Sequence, residues 1–343
     1  MNLNNEQVNN EQVNHVHGLD LLRGLSCYSI IVCHYFAFSY GHFFSEYLSF
    51  IFVEFFFVLS GFVLFPQLIK IFDNKKNLAI FYQRRWLRTL PLYIVCLTLI
   101  SIMFGEFLSL DYFKYFFFIQ DFAPNFLSTN YYTIVWSLAI EEYFYLLFPL
   151  FLIYSKKENV FLYSLYLFIF LILIKILFID SFDSKFARVG TFFRFDAILL
   201  GFIIRHIYTK INLYTSTILA IFFLTIYFQS QEFIVQNKDT LFIKYGFVLL
   251  LQSISACVLI FFCNIERFMK INIVRKISSL IANQAYSLYL IHMVFIYILK
   301  DIGMGNISKF LIYMILLFTV STIAYYYFEK PILKIRPKLL KKI

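Results

Sequence analysis

Arg23 and His34 stand eleven residues apart inside one apolar run, Leu19 to Phe38. Eleven helical residues turn through about 1100°, within roughly 20° of three full turns, and rise about 16 Å, so both side chains share one face at different depths. A charged arginine inside a spanning helix costs on the order of 3 kcal/mol, which makes such a pair a functional hypothesis by default. Histidine is the side chain best suited to proton transfer near neutral pH, so His34 is the candidate base. The bland alternative, a polar contact that fixes helix packing, has less weight for a histidine that shares its face with a cation.

Two carboxylates could support that base. Glu54 lies in the apolar stretch Val53-Glu54-Phe55-Phe56-Phe57-Val58-Leu59-Ser60-Gly61-Phe62, where a lone carboxylate needs a partner, and Arg23 or His34 is the natural one. Glu141 and Glu142 follow Trp136-Ser137-Leu138 in a later run and point about 100° apart, so at most one faces a given cavity squarely. Glu141 or Glu54 could orient the imidazole as a buried carboxylate does in hydrolytic triads. Arg85 and Arg88, one helical turn apart, could clamp a phosphate through forked hydrogen bonds, although an arginine cluster at a helix flank is also an ordinary topological signal. Arg194 with Asp196 reads equally as a structural ion pair, and His292 and Lys175 read mainly as packing groups.

The elements that must position these groups are membrane helices. The chain has 343 residues, 61% of them hydrophobic and only 15% charged, which excludes a soluble globule. Apolar runs near 19–40, 43–65, 89–104, 133–154, 160–179, 192–208, 213–229, 241–263, 281–300 and 307–328 predict an all-α polytopic transmembrane bundle of about ten spanning helices. Tyr112 to Phe122 is apolar but too short to cross, and predicts a re-entrant or interfacial segment. The abundance of Phe and Tyr fits lipid-facing bulk and interfacial rings.

Basic residues alternate between the loops. Segments holding Lys70 to Arg88, Lys156 and Lys157, Arg205 and Lys210, Arg267 to Lys276, and the tail from Lys330 carry 20 of the 30 Lys and Arg residues. Cytoplasmic loops retain such residues, so both termini are expected in the cytoplasm, with Arg23 near that face and His34 deeper. The formal charge of +10 is therefore topological and gives no reason to expect a nucleic-acid partner. Residues 1–18, with a tandem Asn-Asn-Glu-Gln-Val, predict a disordered polar tail and no removable signal peptide; residues 331–343 predict a basic cytoplasmic tail. The five cysteines lie singly in apolar stretches, so neither disulfides nor a metal is expected.

Taken in order, these motifs resemble the acyltransferase type 3 family of bacterial membrane acyltransferases, which modify cell-surface polysaccharides and related acceptors. The resemblance spans most of the chain, with residues 19–330 as the acyltransferase domain. Leu19-Asp20-Leu21-Leu22-Arg23-Gly24 with His34 is similar to the family's opening pattern, and Glu54 through Phe62 to its acidic Phe-Phe and Ser-Gly-Phe signature. Arg85 to Arg88 is similar to its R-x-x-R element, and Trp136, Ser137, Leu138 and Glu141 to its tryptophan element. Weaker similarities are Arg194 to Gly201, Tyr286 to His292, and Glu329 with Pro331.

The resemblance implies a bacterial inner-membrane, multi-pass enzyme. Its donor would be acetyl-CoA or another acyl-CoA entering from the cytoplasm, and its acceptor a surface glycan or lipid-linked saccharide. His34 would be the catalytic centre and Arg23, Arg85 and Arg88 the donor-binding groups, with Glu141 and Glu54 tuning them. Some members carry an additional extracytoplasmic esterase-like domain; none is expected here, so transfer is expected within the membrane domain or through a separate partner. A transporter for lipid-linked glycan is the rival from another class, because intramembrane charges also mark transport paths; no second copy of the Arg23 to His34 pattern supports the internal repeat such a protein would show.

Overall fold

The computed structural model describes residues 16–123, 130–178, 184–236, 241–268, 271–300, 302–303 and 305–340, and these form helices joined by turns and loops, with no strand among them. The first hairpin joins α1 (His17–Tyr40) to α2 (Phe43–Asp73). Gly41, at φ 64°, closes α1 in the left-handed conformation that a glycine adopts without penalty, and its N–H donates to Ala37 O. So short a connection forces the two helices to lie side by side and antiparallel. There follow α3 (Asn77–Met103), the short α4 (Leu110–Phe116), α5 (Val135–Ile153), α6 (Val160–Phe178), α7 (Ser184–Val189), α8 (Phe195–Ile207), α9 (Leu213–Gln229), α10 (Gln231–Gln236), α11 (Leu241–Asn264), α12 (Asn272–Lys300), α13 (Asn306–Ile323) and α14 (Lys330–Lys334).

Every expected apolar run falls on one of these helices. Among the described residues, eight helical stretches are long and apolar enough to cross a membrane; α9 is shorter at 17 residues and α8 has only 13. The expected third and ninth runs begin too late, because α3 starts at Asn77 and α12 at Asn272. Polar and basic residues in the opening turns, Gln83 to Arg88 in α3 and Arg275 and Lys276 in α12, depress hydropathy without breaking the helix, and Arg85 and Arg88 thus lie inside α3. Tyr112 to Phe122 contains α4, seven residues long and too short to cross.

Burial separates centre from rim. Of the most apolar window in α2, 61% is buried inside the protein, against 17% for the stretch containing α6 and for that containing α13, so α2 is central and the others present side chains to lipid. α1 packs against α2 on one side and α12 on the other. The contact of α2 with α8 depends on glycines facing one another: a Cβ on Gly61 would collide with Ile198 O, and one on Gly201 with Val58 O. In lipid, where side-chain burial gains little, such close backbone approach is what drives helix association.

The two tails join the bundle to different extents. Residues 1–15 of the anticipated disordered tail lie outside the described residues, but His17 and Gly18 already belong to α1, where Gly18 N–H donates to Glu266 at 2.9 Å. The segment after Pro331 forms α14 and then docks on α3: Arg84 donates to Pro337 O at 2.7 Å, and Asn77 exchanges two hydrogen bonds with the backbone of Leu340. A basic stretch that satisfies its carbonyls on a neighbouring helix is part of the fold up to residue 340.

Candidate active site

The motifs converge on two chambers with a common wall. The first, a cavity of about 200 Å³, is lined by Arg23 of α1, Ser60 and Gln67 of α2, Arg85 and Arg88 of α3, and Glu141 of α5. The second, of about 240 Å³, is lined by His34, Glu46, Gln120, Asp121, Trp136 and Arg188. Val53 of α2 and Tyr289 of α12 line both. The Tyr289 hydroxyl lies 2.6 Å from Ser137 Oγ and donates to Ile134 O at 3.1 Å, so the ring is pinned across the gap between α12 and the start of α5.

The arginine chamber has an excess of cation. None of Arg23, Arg85 and Arg88 forms an ion pair among the described residues; Arg85 rests its guanidinium on the Tyr145 ring at 4.9 Å. Glu141, the carboxylate lining this chamber, accepts from Ser60 Oγ at 2.6 Å and Tyr145 Oη at 3.0 Å. Arg336, in the docked tail, adds to the crowding: burial, and then repulsion from Arg88, Arg84 and Arg85, lowers it to about 10. Convergent guanidinium groups that outnumber the carboxylate beside them are suited to a multiply charged anion.

His34 belongs to the other chamber. Its Nδ1 lies 3.0 Å from Nε2 of His292, whose Nδ1 donates to Tyr289 O at 2.6 Å, and the two imidazoles are 26° from coplanar. His292 is fully buried. Opposite stands Arg188, its guanidinium 4.0 Å from the Phe50 ring centroid and 5.3 Å from that of Trp136. Burial lowers Arg188 to about 10, opposed by the Glu46 carboxylate, and leaves it cationic at neutral pH. Gln120 is buried with neither amide atom paired. Aromatic faces among hydroxyl, amide and carboxylate groups are suited to a polyhydroxylated ligand.

Two expectations about the carboxylates are corrected. Glu54 pairs with neither Arg23 nor His34. Arg194, in the turn Phe192–Arg194 before α8, donates to both of its oxygens at 2.6 and 2.5 Å. Arg194 Nε also lies 3.7 Å from Asp196, which accepts from Lys175 and, at 2.7 Å, from Gln252. The glycine contact between α2 and α8 brings Arg194 to Glu54, and the resulting network opens on neither chamber. Glu141, for its part, hydrogen-bonds on the arginine side, and the partner of His34 is His292.

Several of these groups escape a reading of the sequence. His292 looks like a packing histidine because its partner is 258 residues away, and the one local clue is that it follows Tyr289 by one helical turn. Arg188 and Gln120 sit in connections whose return to the bundle no periodicity signals. Arg336 is indistinguishable from the rest of a basic tail.

A family model described as an acyltransferase domain matches residues 16–326. The O-acetyltransferase OatA of Staphylococcus aureus is 28% identical over 92% of this chain and 57% of its own length. The putative peptidoglycan O-acetyltransferase YrhL of Bacillus subtilis is 26% identical over 93% of this chain and 55% of its own. The peptidoglycan O-acetyltransferase OatA of Listeria monocytogenes is 30% identical over a shorter region, 42% of this chain. The chain thus spans little more than half the length of the first two relatives, and no solved structure matches it. With the model covering nearly the whole bundle and both chambers, the chain belongs to this acyltransferase domain family.

Proposed function

We propose that this chain is a membrane O-acetyltransferase that moves an acetyl group from acetyl-CoA to a sugar hydroxyl of a cell-wall polysaccharide or its lipid-linked precursor. The observation that carries the reading is the pairing of the chambers: three arginines against one carboxylate in the first, an imidazole among sugar-compatible groups in the other, and a wall of Val53 and Tyr289 in common. Arg23, Arg85 and Arg88 take the phosphates of the donor, and the flexible pantetheine arm carries the thioester along the α1 face toward His34. The clustering of Lys and Arg in alternate loops supports a reading with the arginine chamber on the cytoplasmic side and both termini in the cytoplasm, in the bacterial cytoplasmic membrane.

At the wall, His34 accepts the proton of the acceptor hydroxyl as its oxygen attacks the thioester carbonyl. The carbon–sulfur bond breaks, the thiolate of coenzyme A leaves, and the imidazolium returns the proton to it. The products are the sugar ester and free coenzyme A. Glu141, held by Ser60 and Tyr145, lies beside the arginine cluster, while Glu54 serves the fold. The test is radiolabelled acetyl-CoA supplied to membranes containing the wild type or His34→Ala, with label counted in the glycan fraction. Labelling by the wild type alone is expected; equal labelling by both would remove His34 from the chemistry, and none by either would remove acetyl transfer.

A further inference from the structure

We propose that His292 is the positioning residue that holds His34 in its Nδ1–H tautomer and thereby makes His34 Nε2 the atom that takes the acceptor proton. The inference rests on the reading of His34 as the base. It follows from matching donors to acceptors along one short chain. Tyr289 O is a carbonyl and can only accept, so His292 Nδ1, 2.6 Å away, carries the hydrogen. A neutral imidazole with hydrogen on Nδ1 has a bare lone pair on Nε2. That lone pair faces His34 Nδ1 at 3.0 Å, so His34 Nδ1 in turn carries a hydrogen. With either ring in the other tautomer, two lone pairs would oppose each other at hydrogen-bond distance.

One neutral arrangement satisfies every contact, and it leaves His34 Nε2 bare. Arg188, the cation of the same chamber, can only donate and so favours no competing proton position. The arrangement also survives turnover: when Nε2 takes a proton, Nδ1 still donates to His292, so the second imidazole accepts the same bond throughout the cycle. Its role parallels that of the buried aspartate in a serine-protease triad, except that a neutral ring supplies the acceptor and a backbone carbonyl fixes that ring. The scaffold is stiff enough for the purpose. α1 and α12 are closely packed, Gly24 lets the Ile281 side chain against the α1 backbone, and Cys27 Sγ lies 3.2 Å from Ala285 O.

The experiment combines tautomer and turnover in the full chain. Solid-state 15N NMR of histidine-labelled protein in lipid, with His34→Ala assigning the signal, is expected to show His34 protonated at Nδ1 and bare at Nε2. In His292→Leu the His34 signal should shift toward the Nε2–H form. Turnover should then fall by about 100-fold or more, within the ~10⁴-fold that a wrong tautomer costs a triad, while KM for acetyl-CoA stays within about twofold because the arginine chamber is untouched. His292→Gln, whose side-chain carbonyl can accept the same hydrogen bond, should recover most of that loss. Wild-type His34 protonated at Nε2, full turnover by His292→Leu, or a His292→Gln variant as inactive as the leucine would each overturn the assignment. A wild type with the expected tautomer but no acetyl transfer would instead overturn the acyltransferase reading and leave the positioning claim standing.

Discussion

Two clusters of charge meet α2 on different faces, at Glu54 and at Ser60, and they are built from arginine and carboxylate to opposite ends. Around Asp196 the charges neutralise one another: Glu54 with Arg194, Asp196 with Lys175 and Arg194, and Gln252 completing the set. Around Glu141 they do not, since Arg23, Arg85 and Arg88 face a cavity without an ion pair among the described residues. A buried network whose charges sum locally to little is complete without a ligand, and removing one member leaves the others stranded. A cluster with unbalanced charge and space beside it is complete only with an anion in place. The identity of a buried charged residue therefore says less about its role than whether its own neighbours already satisfy it.

The largest effect that would sharpen this contrast is on stability. Arg194→Met strands Glu54 and Asp196 in the bundle and should cost about 3–5 kcal/mol, seen as a collapsed yield of folded protein or a much lower melting temperature in detergent. An Arg194→Met variant that melts with the wild type would break the assignment of this network to the fold. Glu54→Gln should weaken the fold in the same direction and by less, while the protein that does fold keeps its turnover number. Loss of turnover at unchanged stability would return Glu54 to the chemistry of His34.

On the open side the effects move from stability to activity. His34→Ala should melt within a few degrees of the wild type and lose about 10²- to 10⁴-fold in transfer, the usual contribution of a positioned base. Arg85→Met with Arg88→Met should raise the donor dissociation constant by about 100-fold or more, since each charge-assisted hydrogen bond is worth roughly 1.5–3 kcal/mol. Arg336→Gln, at the edge of the cluster, should raise it only severalfold, measured as KM for acetyl-CoA with turnover unchanged. If Arg336 proved as important as the Arg85 and Arg88 pair, the binding site would have to extend out to the docked tail.

Much of this was legible in the sequence, and the part that was not has a physical cause. Ten apolar runs announced ten helices, because hydropathy reports burial in lipid whatever the tertiary fold. The shared face of Arg23 and His34 followed from helical periodicity alone. What periodicity cannot report is which helix lies opposite. The partner of Glu54 depended on Gly61 and Gly201 bringing α8 against α2, and the partner of His34 on α12 returning beside α1. Arg85 and Arg88 were legible as a pair one turn apart, whereas their lack of an ion pair became visible only when the partners of Glu54, Glu141 and Asp196 were in place.

The central claim is that donor binding and chemistry are divided between two chambers, and calorimetric titration of coenzyme A into purified protein tests it most directly. Wild type and His34→Ala should bind with the same affinity, and Arg85→Met with Arg88→Met should bind more weakly by about 100-fold or more, although His34→Ala is the variant that loses the transfer chemistry. Weak binding by His34→Ala, or undiminished binding by the double arginine variant, would contradict the division.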